Sequence, residues 1–248
     1  MRGVAVILGV ILFGCARVPM EHGISQTQRR LHFRAVVFNL DLREQIGQLG
    51  FIAALSGFRS LIADAFFLQA HVAWERTEWG RVLLLFRQVT TLQPRTLLFW
   101  DMAAWHMAWN AGTAALNDPS QPRLALRIKA QRAYLRLGQD FLERGIKNNP
   151  ERPQLYEALA RLYRDKYGDH EHATEFFAKA AALPGAPGYA KRFAAYELAQ
   201  CGGREREAYT RLRALYDSGE NERLPTLLRH LKKLEISLDI ALDQRIPD

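Results

Sequence analysis

The sequence has few of the residues that build a covalent or metal-bound framework. Its only cysteines are Cys15 and Cys201, so neither a disulfide scaffold nor a cysteine-rich zinc site can organise the fold. It also lacks a glycine-rich phosphate loop, a nucleophile-elbow serine and a histidine pair four residues apart beside a glutamate. We therefore predict a protein that is not an enzyme and has no cofactor, metal or catalytic residue.

Acidic residues are outnumbered by basic ones. The chain has 26 Asp and Glu against 34 Lys and Arg, a formal net charge of +8 at pH 7. Such a balance favours acidic partners or an anionic surface. Because no recognised nucleic-acid-binding motif accompanies the charge, we expect no nucleic acid among the partners.

Signals for β-strands are nearly absent. No stretch alternates between apolar and polar residues over a strand's length, whereas apolar residues recur at spacings of three and four, as in Leu61, Ala65, Leu68 and Val72. Glycine and proline divide the chain from residue 41 onward into helices joined by short connectors. We predict an all-α fold, with flanking helices at 41–56 and 222–238.

The amino terminus has a different composition. Arg2 precedes a short apolar run that ends in Leu12-Phe13-Gly14-Cys15. This run is too short to span a bilayer, because a spanning helix needs about 20 apolar residues. This arrangement resembles the signal peptide of a bacterial lipoprotein, with residues 1–14 as the leader. The resemblance implies lipidation at Cys15, followed by a tether or loosely packed arm at 15–40. An uncleaved anchor or a buried apolar helix is the alternative.

Two prolines mark an internal period. Pro150 and Pro184 are thirty-four residues apart, which is the length of a tetratricopeptide repeat. Between them, one helix carries a large, an aliphatic, a small and an aromatic residue, and a second helix after Gly168-Asp169 carries a small, a large and a small one. These positions are Tyr156, Leu159, Ala160 and Tyr163, then Ala173, Phe177 and Ala180.

On these residues the chain resembles a divergent tetratricopeptide-repeat protein over residues 57 to 217. One residue is added ahead of Gly168 and one is missing before Pro184, so the period is kept. The resemblance implies a right-handed α-solenoid of antiparallel helix hairpins, about four in number plus flanking helices, within a repeat domain at 41–248. Stacking is required because neither helix of a pair can bury its apolar face alone.

Proteins of this family commonly bind peptides along a groove formed by the first helix of each pair. The resemblance therefore implies a partner groove, to which three successive hairpins contribute His71, Trp74 and Glu75; Asp101, Trp105 and Trp109; and Glu157, Arg161 and Arg164. Exposed tryptophans beside charges make good anchors for a partner chain. The segment around Trp105 is apolar nearly all round, however, so core packing is the alternative for both of its tryptophans.

A basic face is predicted on the helix that follows Pro122. Its members recur at three- and four-residue spacing, and they are Arg123, Arg127, Lys129, Arg132 and Arg136. Contact with phosphate, anionic lipid or an acidic protein is one interpretation of this face. A solvated helix surface is the other.

His170-Glu171-His172 does not have the spacing of a metal site. Side chains two residues apart diverge on a helix, so we predict surface histidines, with Asp169 as the helix cap. Cys201 is predicted to be inert, because the negative end of a helix dipole disfavours a thiolate.

Together these features predict a non-enzymatic scaffold or adaptor that binds another protein or peptide, held at a membrane of the bacterial cell envelope through Cys15. Two alternatives remain. One is a structural subunit of a larger envelope assembly. The other is a helical-hairpin protein that binds or processes a small molecule or glycan, with Asp101, Glu75 and Glu78 lining its pocket.

Overall fold

The computed structural model of the chain describes residues 47–48 and 57–247. Several predicted features lie outside the described residues: the leader at 1–14, Cys15, the arm at 15–40 and most of the helix at 41–56. Within the described ranges every regular element is helical and no strand is present. The all-α prediction is therefore confirmed.

The helices have the following bounds: α1 (Arg59–Glu75), α2 (Trp79–Leu92), α3 (Leu97–Trp105), α4 (Gly112–Leu116), α5 (Leu124–Asn148), α6 (Pro153–Leu162), α7 (His170–Ala181), α8 (Tyr189–Leu198), α9 (Glu205–Asp217) and α10 (Pro225–Ser237). A π-helical segment, π1 (His106–Ala111), joins α3 to α4, and a second, π2 (Tyr163–Tyr167), extends α6. None of the helices in the part of the chain described here is both long and apolar enough to cross a membrane.

The two π segments continue their helices without a break. Backbone angles stay in the right-handed helical region at Trp105, at His106 and through Gly112, so α3, π1 and α4 form one continuous rod. A π-helical turn closes over one more residue than an α-helical turn. The residue added ahead of Gly168 in the repeat pattern coincides with π2, which accommodates it.

Gly168 ends α6 and π2 in a left-handed conformation. Its φ is 64°, a backbone angle that side-chain-bearing residues rarely adopt, and the Asp169 amide donates back to the Tyr163 carbonyl at 3.0 Å. The Asp169 carboxylate then accepts from the His172 amide at 3.0 Å and caps α7. The predicted role of Asp169 as a helix cap is confirmed.

Helices adjacent in the chain pack against each other along its whole described length. The interface between α5 and the rod of α3, π1 and α4 is the most extensive, followed by the α1–α2, α7–α8 and α6–α7 interfaces. First helices of consecutive pairs also touch, as in α3 with α6. The short connectors at 76–78 and 168–169 require the helices they join to run antiparallel.

Small residues set how closely the helices approach. Ala160 of α6 is fully buried and packs against Phe177 of α7 and Ala194 of α8. A Cβ on Gly138 of α5 would lie only 2.7 Å from the Ala108 Cβ of π1. These contacts place α5 against the rod, and they fix the walls of the site described next.

Candidate functional site

An open pocket lined by four tryptophans lies where three helices end or begin. Trp74 comes from the end of α1 and Trp79 from the start of α2, while Trp105 and Trp109 come from the end of α3 and from π1. The pocket has a volume of about 480 Å³. We call it the aromatic pocket.

Helical spacing explains why the tryptophans differ in burial. Trp100 is 1% exposed and packs on Phe141, with its indole N–H donating to the Pro94 carbonyl at 2.9 Å. Trp105 is 42% exposed, and Trp109, four residues further on, is half-buried on the same side of the rod. Among the three tryptophans of this segment, Trp100 is therefore the one in the core, whereas Trp105 and Trp109 line a surface pocket.

A second cavity lies beside the first, between α5 and π2. It has a volume of about 860 Å³, and α5 contributes Arg132 and Arg136 to it, while π2 contributes Tyr163, Lys166 and Tyr167. In the described part of the chain, none of these three cations is in an ion pair with a carboxylate. We call this cavity the cationic cleft.

Gln139 of α5 fixes the tyrosines of the cationic cleft. Its side-chain amide donates to the Tyr163 hydroxyl at 3.2 Å and accepts from the Tyr167 hydroxyl at 3.0 Å. Tyr163 also stacks on Phe176, with ring centroids 5.5 Å apart and planes within 6°. The floor of the cleft is thus held in place by α5, π2 and α7 together.

Lys166 joins the two cavities, because it lines both of them. Its ammonium nitrogen lies 5.4 Å from the centre of the Trp109 ring, within the range of a cation–π interaction. Aromatic pocket and cationic cleft are therefore parts of one surface, with a cation at their junction.

The predicted basic face divides when placed on the structure. Arg132 and Arg136 line the cationic cleft, whereas Arg123, Arg127 and Lys129 do not line either cavity. Arg127 has its Nε atom buried without a hydrogen-bond partner in the described structure. The Lys129 side chain is exposed on the surface of α5.

The remaining residues of the predicted partner groove lie outside both cavities. His71 and Glu75 are exposed and approach to 3.9 Å, and Asp101 and Arg161 connect α3 with α6 at 3.9 Å. Burial raises the pKa of Asp101, while Arg161 opposes that shift. Arg164 pairs with Asp165 at 2.6 Å, and it lies 4.0 Å from Glu197.

Glu157 differs from the expectation, because it is buried and only 2% exposed. The Tyr189 hydroxyl donates to its Oε2 at 2.7 Å, and this bond raises the pKa of Tyr189. Its Oε1 has no hydrogen-bond partner in the described structure. Glu157 is therefore bonded within the chain, to Tyr189 at the start of the following helix pair.

His106 lies beneath the aromatic pocket and is 1% exposed. Its ring packs against those of Trp74, Phe86 and Trp105, at centroid distances of 5.3, 5.4 and 5.1 Å. Burial, together with the nearby His71, lowers the pKa of His106 to about 4. The Asn110 amide donates to its Nδ1 at 3.1 Å, which requires that nitrogen to be unprotonated.

The histidines and the cysteine that could suggest chemistry have structural partners. His170 bonds to Glu197 at 2.7 Å and His172 to Asp169 at 2.6 Å, so they point to different carboxylates. Over the described ranges, no three His, Cys, Asp or Glu residues are grouped as metal ligands. Cys201 is buried, burial raises its pKa, and its thiol donates to the Glu197 carbonyl at 3.4 Å.

Sequence reasoning missed Trp79, Lys166 and Tyr167. Lys166 and Tyr167 follow the residue added ahead of Gly168, and that departure from the repeat period is the one sequence signal that could have located them. Trp79 begins α2 and gives no periodic signal of its own. Its place in the pocket depends on where the preceding turn directs it.

The chain matches no known protein-family model and no curated protein sequence. Its tetratricopeptide likeness therefore remains a prediction from motif spacing.

Proposed function

We propose that this protein is a non-enzymatic adaptor that holds a segment of another protein against the aromatic pocket. The observation that supports this is an open pocket lined by indole rings and edged by Lys166. Tryptophans that are partly desolvated before binding give a partner large contact area at a small entropic cost. A glycan-processing pocket would need carboxylates in its lining. The aromatic pocket is not lined by Asp101, Glu75 or Glu78.

The packing of successive helices supports a tetratricopeptide-type architecture for the adaptor. Helix pairs that contact mainly their neighbours in the chain are typical of an α-solenoid, and in the proposed arrangement the hairpins stack with a right-handed superhelical twist. In this arrangement the aromatic pocket lies between the turn of the first hairpin and the rod that begins the second hairpin.

Site-specific photo-crosslinking tests the adaptor function. A photoreactive phenylalanine derivative in place of Trp105 should give a discrete adduct with one partner protein in cells of the native host. The control position is Ile236, which is 71% exposed on α10 and far along the chain from the pocket. Adducts that are absent at 105, or identical at both positions, would contradict the proposal.

The stability of tryptophan variants separates binding from packing. We expect Trp105→Ala to lower the free energy of unfolding by about 1 kcal/mol or less, because this side chain is 42% exposed. Trp100→Ala should cost about 3–5 kcal/mol, since Trp100 is fully buried. Denaturant titration of both variants measures this. A cost for Trp105→Ala as large as for Trp100→Ala would make Trp105 a core residue.

We also propose that the protein is a lipoprotein of the bacterial cell envelope, lipidated at Cys15. Support comes from the apolar run before Gly14-Cys15 in the sequence. Acyl chains contribute roughly 0.8 kcal/mol of membrane affinity per buried methylene. Cys15→Ala should leave the membrane fraction and lose the acyl mass, whereas the matched control Cys201→Ala should retain both. An unprocessed chain that begins at Met1 in the wild type would overturn this proposal.

A further inference from the structure

We infer that the partner segment is an acidic peptide that carries an aromatic or large apolar side chain. This inference rests on the adaptor function proposed above and specifies the chemistry of its ligand. The apolar side chain enters the aromatic pocket, and the aspartates or glutamates beside it lie in the cationic cleft. Lys166, which lines both cavities, contacts the peptide where the two parts meet.

The charge of the cleft is the first reason. Arg132, Arg136 and Lys166 face it without a carboxylate partner in the described structure. Asp169 is the one acid in its lining, and Glu143 lies just outside it, where it accepts a hydrogen bond from Gln139 at 2.8 Å, so the cations still outnumber the acids. Burial alone would raise the pKa of Asp169, but two hydrogen bonds from His172 lower it overall, so its charge is already satisfied within α7. Three unpaired cations around one cavity make an anionic ligand the electrostatic complement.

The junction at Lys166 is the second reason. A small anion such as phosphate would use the cations and leave the indole rings exposed. An apolar ligand would use the rings and leave the cations unpaired. Only a ligand that carries both features satisfies the two cavities at once. The Gln131 side chain in the cleft lining and the Oδ1 atom of Asn110 in the pocket lining can pair with a peptide backbone.

The shape of the cleft favours a narrow ligand over a flat surface. Tyr163 and Lys166 are half-buried between α5 and π2, so a bilayer resting on the protein would not reach them. A single extended chain can enter. The chain's own arm at 15–40 is a poor occupant, because it carries Arg29, Arg30 and Arg34 and would repel the cleft.

Selection from a displayed random-peptide library on the purified full chain in detergent tests the inference. We expect selected peptides to be enriched in Asp and Glu beside an aromatic or large apolar residue. Synthetic copies should bind about tenfold more weakly to Arg136→Gln and to Lys166→Gln, the loss typical of one charge-assisted hydrogen bond. Lys129→Gln is the matched control, since Lys129 is an exposed cation of the same helix outside the cleft, and it should leave the Kd unchanged.

The outcomes separate this inference from the adaptor function. Neutral or basic peptides that lose affinity in Trp105→Ala would overturn the acidic ligand and leave the adaptor standing. Selected peptides whose affinity is unchanged by substitution of Trp105, Arg136 or Lys166 would overturn both the acidic ligand and the adaptor function. So would a selection that enriches no peptide. Phosphatidylglycerol vesicles that bind with the same dependence on Arg136, while acidic peptides do not, would replace the peptide with an anionic lipid. Displacement of a bound acidic peptide by a low concentration of inorganic phosphate would show that the cleft binds anions in general and would overturn the inference.

Discussion

Gly138→Ala is expected to lower the free energy of unfolding by about 1–3 kcal/mol, although alanine is the better helix former. The added Cβ would lie 2.7 Å from the Ala108 Cβ and 3.0 Å from the Ala104 carbonyl oxygen. Both neighbours are fully buried alanines of the rod. Neither can move away without displacing the rod from α5, so the substitution overpacks this interface.

Gly112→Ala provides the control, since it makes the same chemical change on the other side of the same interface, in the rod against which α5 packs. Its new Cβ would meet the Leu135 side chain and the Met107 carbonyl oxygen at 3.5 Å, which is ordinary van der Waals contact. We expect this variant to be about as stable as the wild type or up to about 1 kcal/mol more stable. Urea titration measures both. Equal effects of the two substitutions would show that α5 does not approach the rod as closely as described.

Much of the local structure could be predicted from the sequence, because it depends on neighbours in the chain. Asp169 caps α7 as its position beside Gly168 indicates, and the small residue Ala160 lies buried against Phe177. In each case the relevant physical constraint extends over a few residues or one helix pair.

The site was harder to predict because two of its walls are π-helical. One extra residue in a turn advances the side chains that follow by about 100° around the helix axis. An α-helical pattern therefore predicts the wrong face for residues such as Lys166. Glu157 shows a second limit, since its burial is imposed by Tyr189 on the next helix pair and not by its own helix.

The His106 ring should make the stability of the protein depend on pH. Its pKa is about 4 in the folded state, whereas an unfolded chain has the ordinary value of about 6.5. Above pH 6.5 the ring is neutral in both states and has no effect. Below it the unfolded state binds the proton first, so the free energy of unfolding falls as the pH drops towards 4. The full loss is about 3 kcal/mol, of which about 2 kcal/mol is reached at pH 5.

Comparison of variants isolates this contribution from the carboxylates that also titrate. His106→Gln should lack the His106 part of the loss between pH 7 and pH 5, whatever its stability at neutral pH. His230→Gln is the comparison. Burial and two neighbouring cations also lower the pKa of His230, so its removal should likewise reduce the pH dependence of stability, but it stacks on Tyr196 and should leave tryptophan fluorescence unchanged. An unchanged pH dependence in His106→Gln would refute the burial of a neutral imidazole there.

The position of His106 links this pH dependence to the site itself. Protonation breaks the hydrogen bond that Asn110 donates, and it places a charge beneath Trp74 and Trp105. Because both rings line the aromatic pocket and the folded protein protonates His106 only near its pKa of about 4, tryptophan fluorescence should change as the pH falls through about 4 in the wild type and not in His106→Gln. Affinity for an acidic peptide should then fall as the pH drops through about 4 more steeply than the peptide's own carboxylates require, since the pocket loosens as its supporting ring becomes charged.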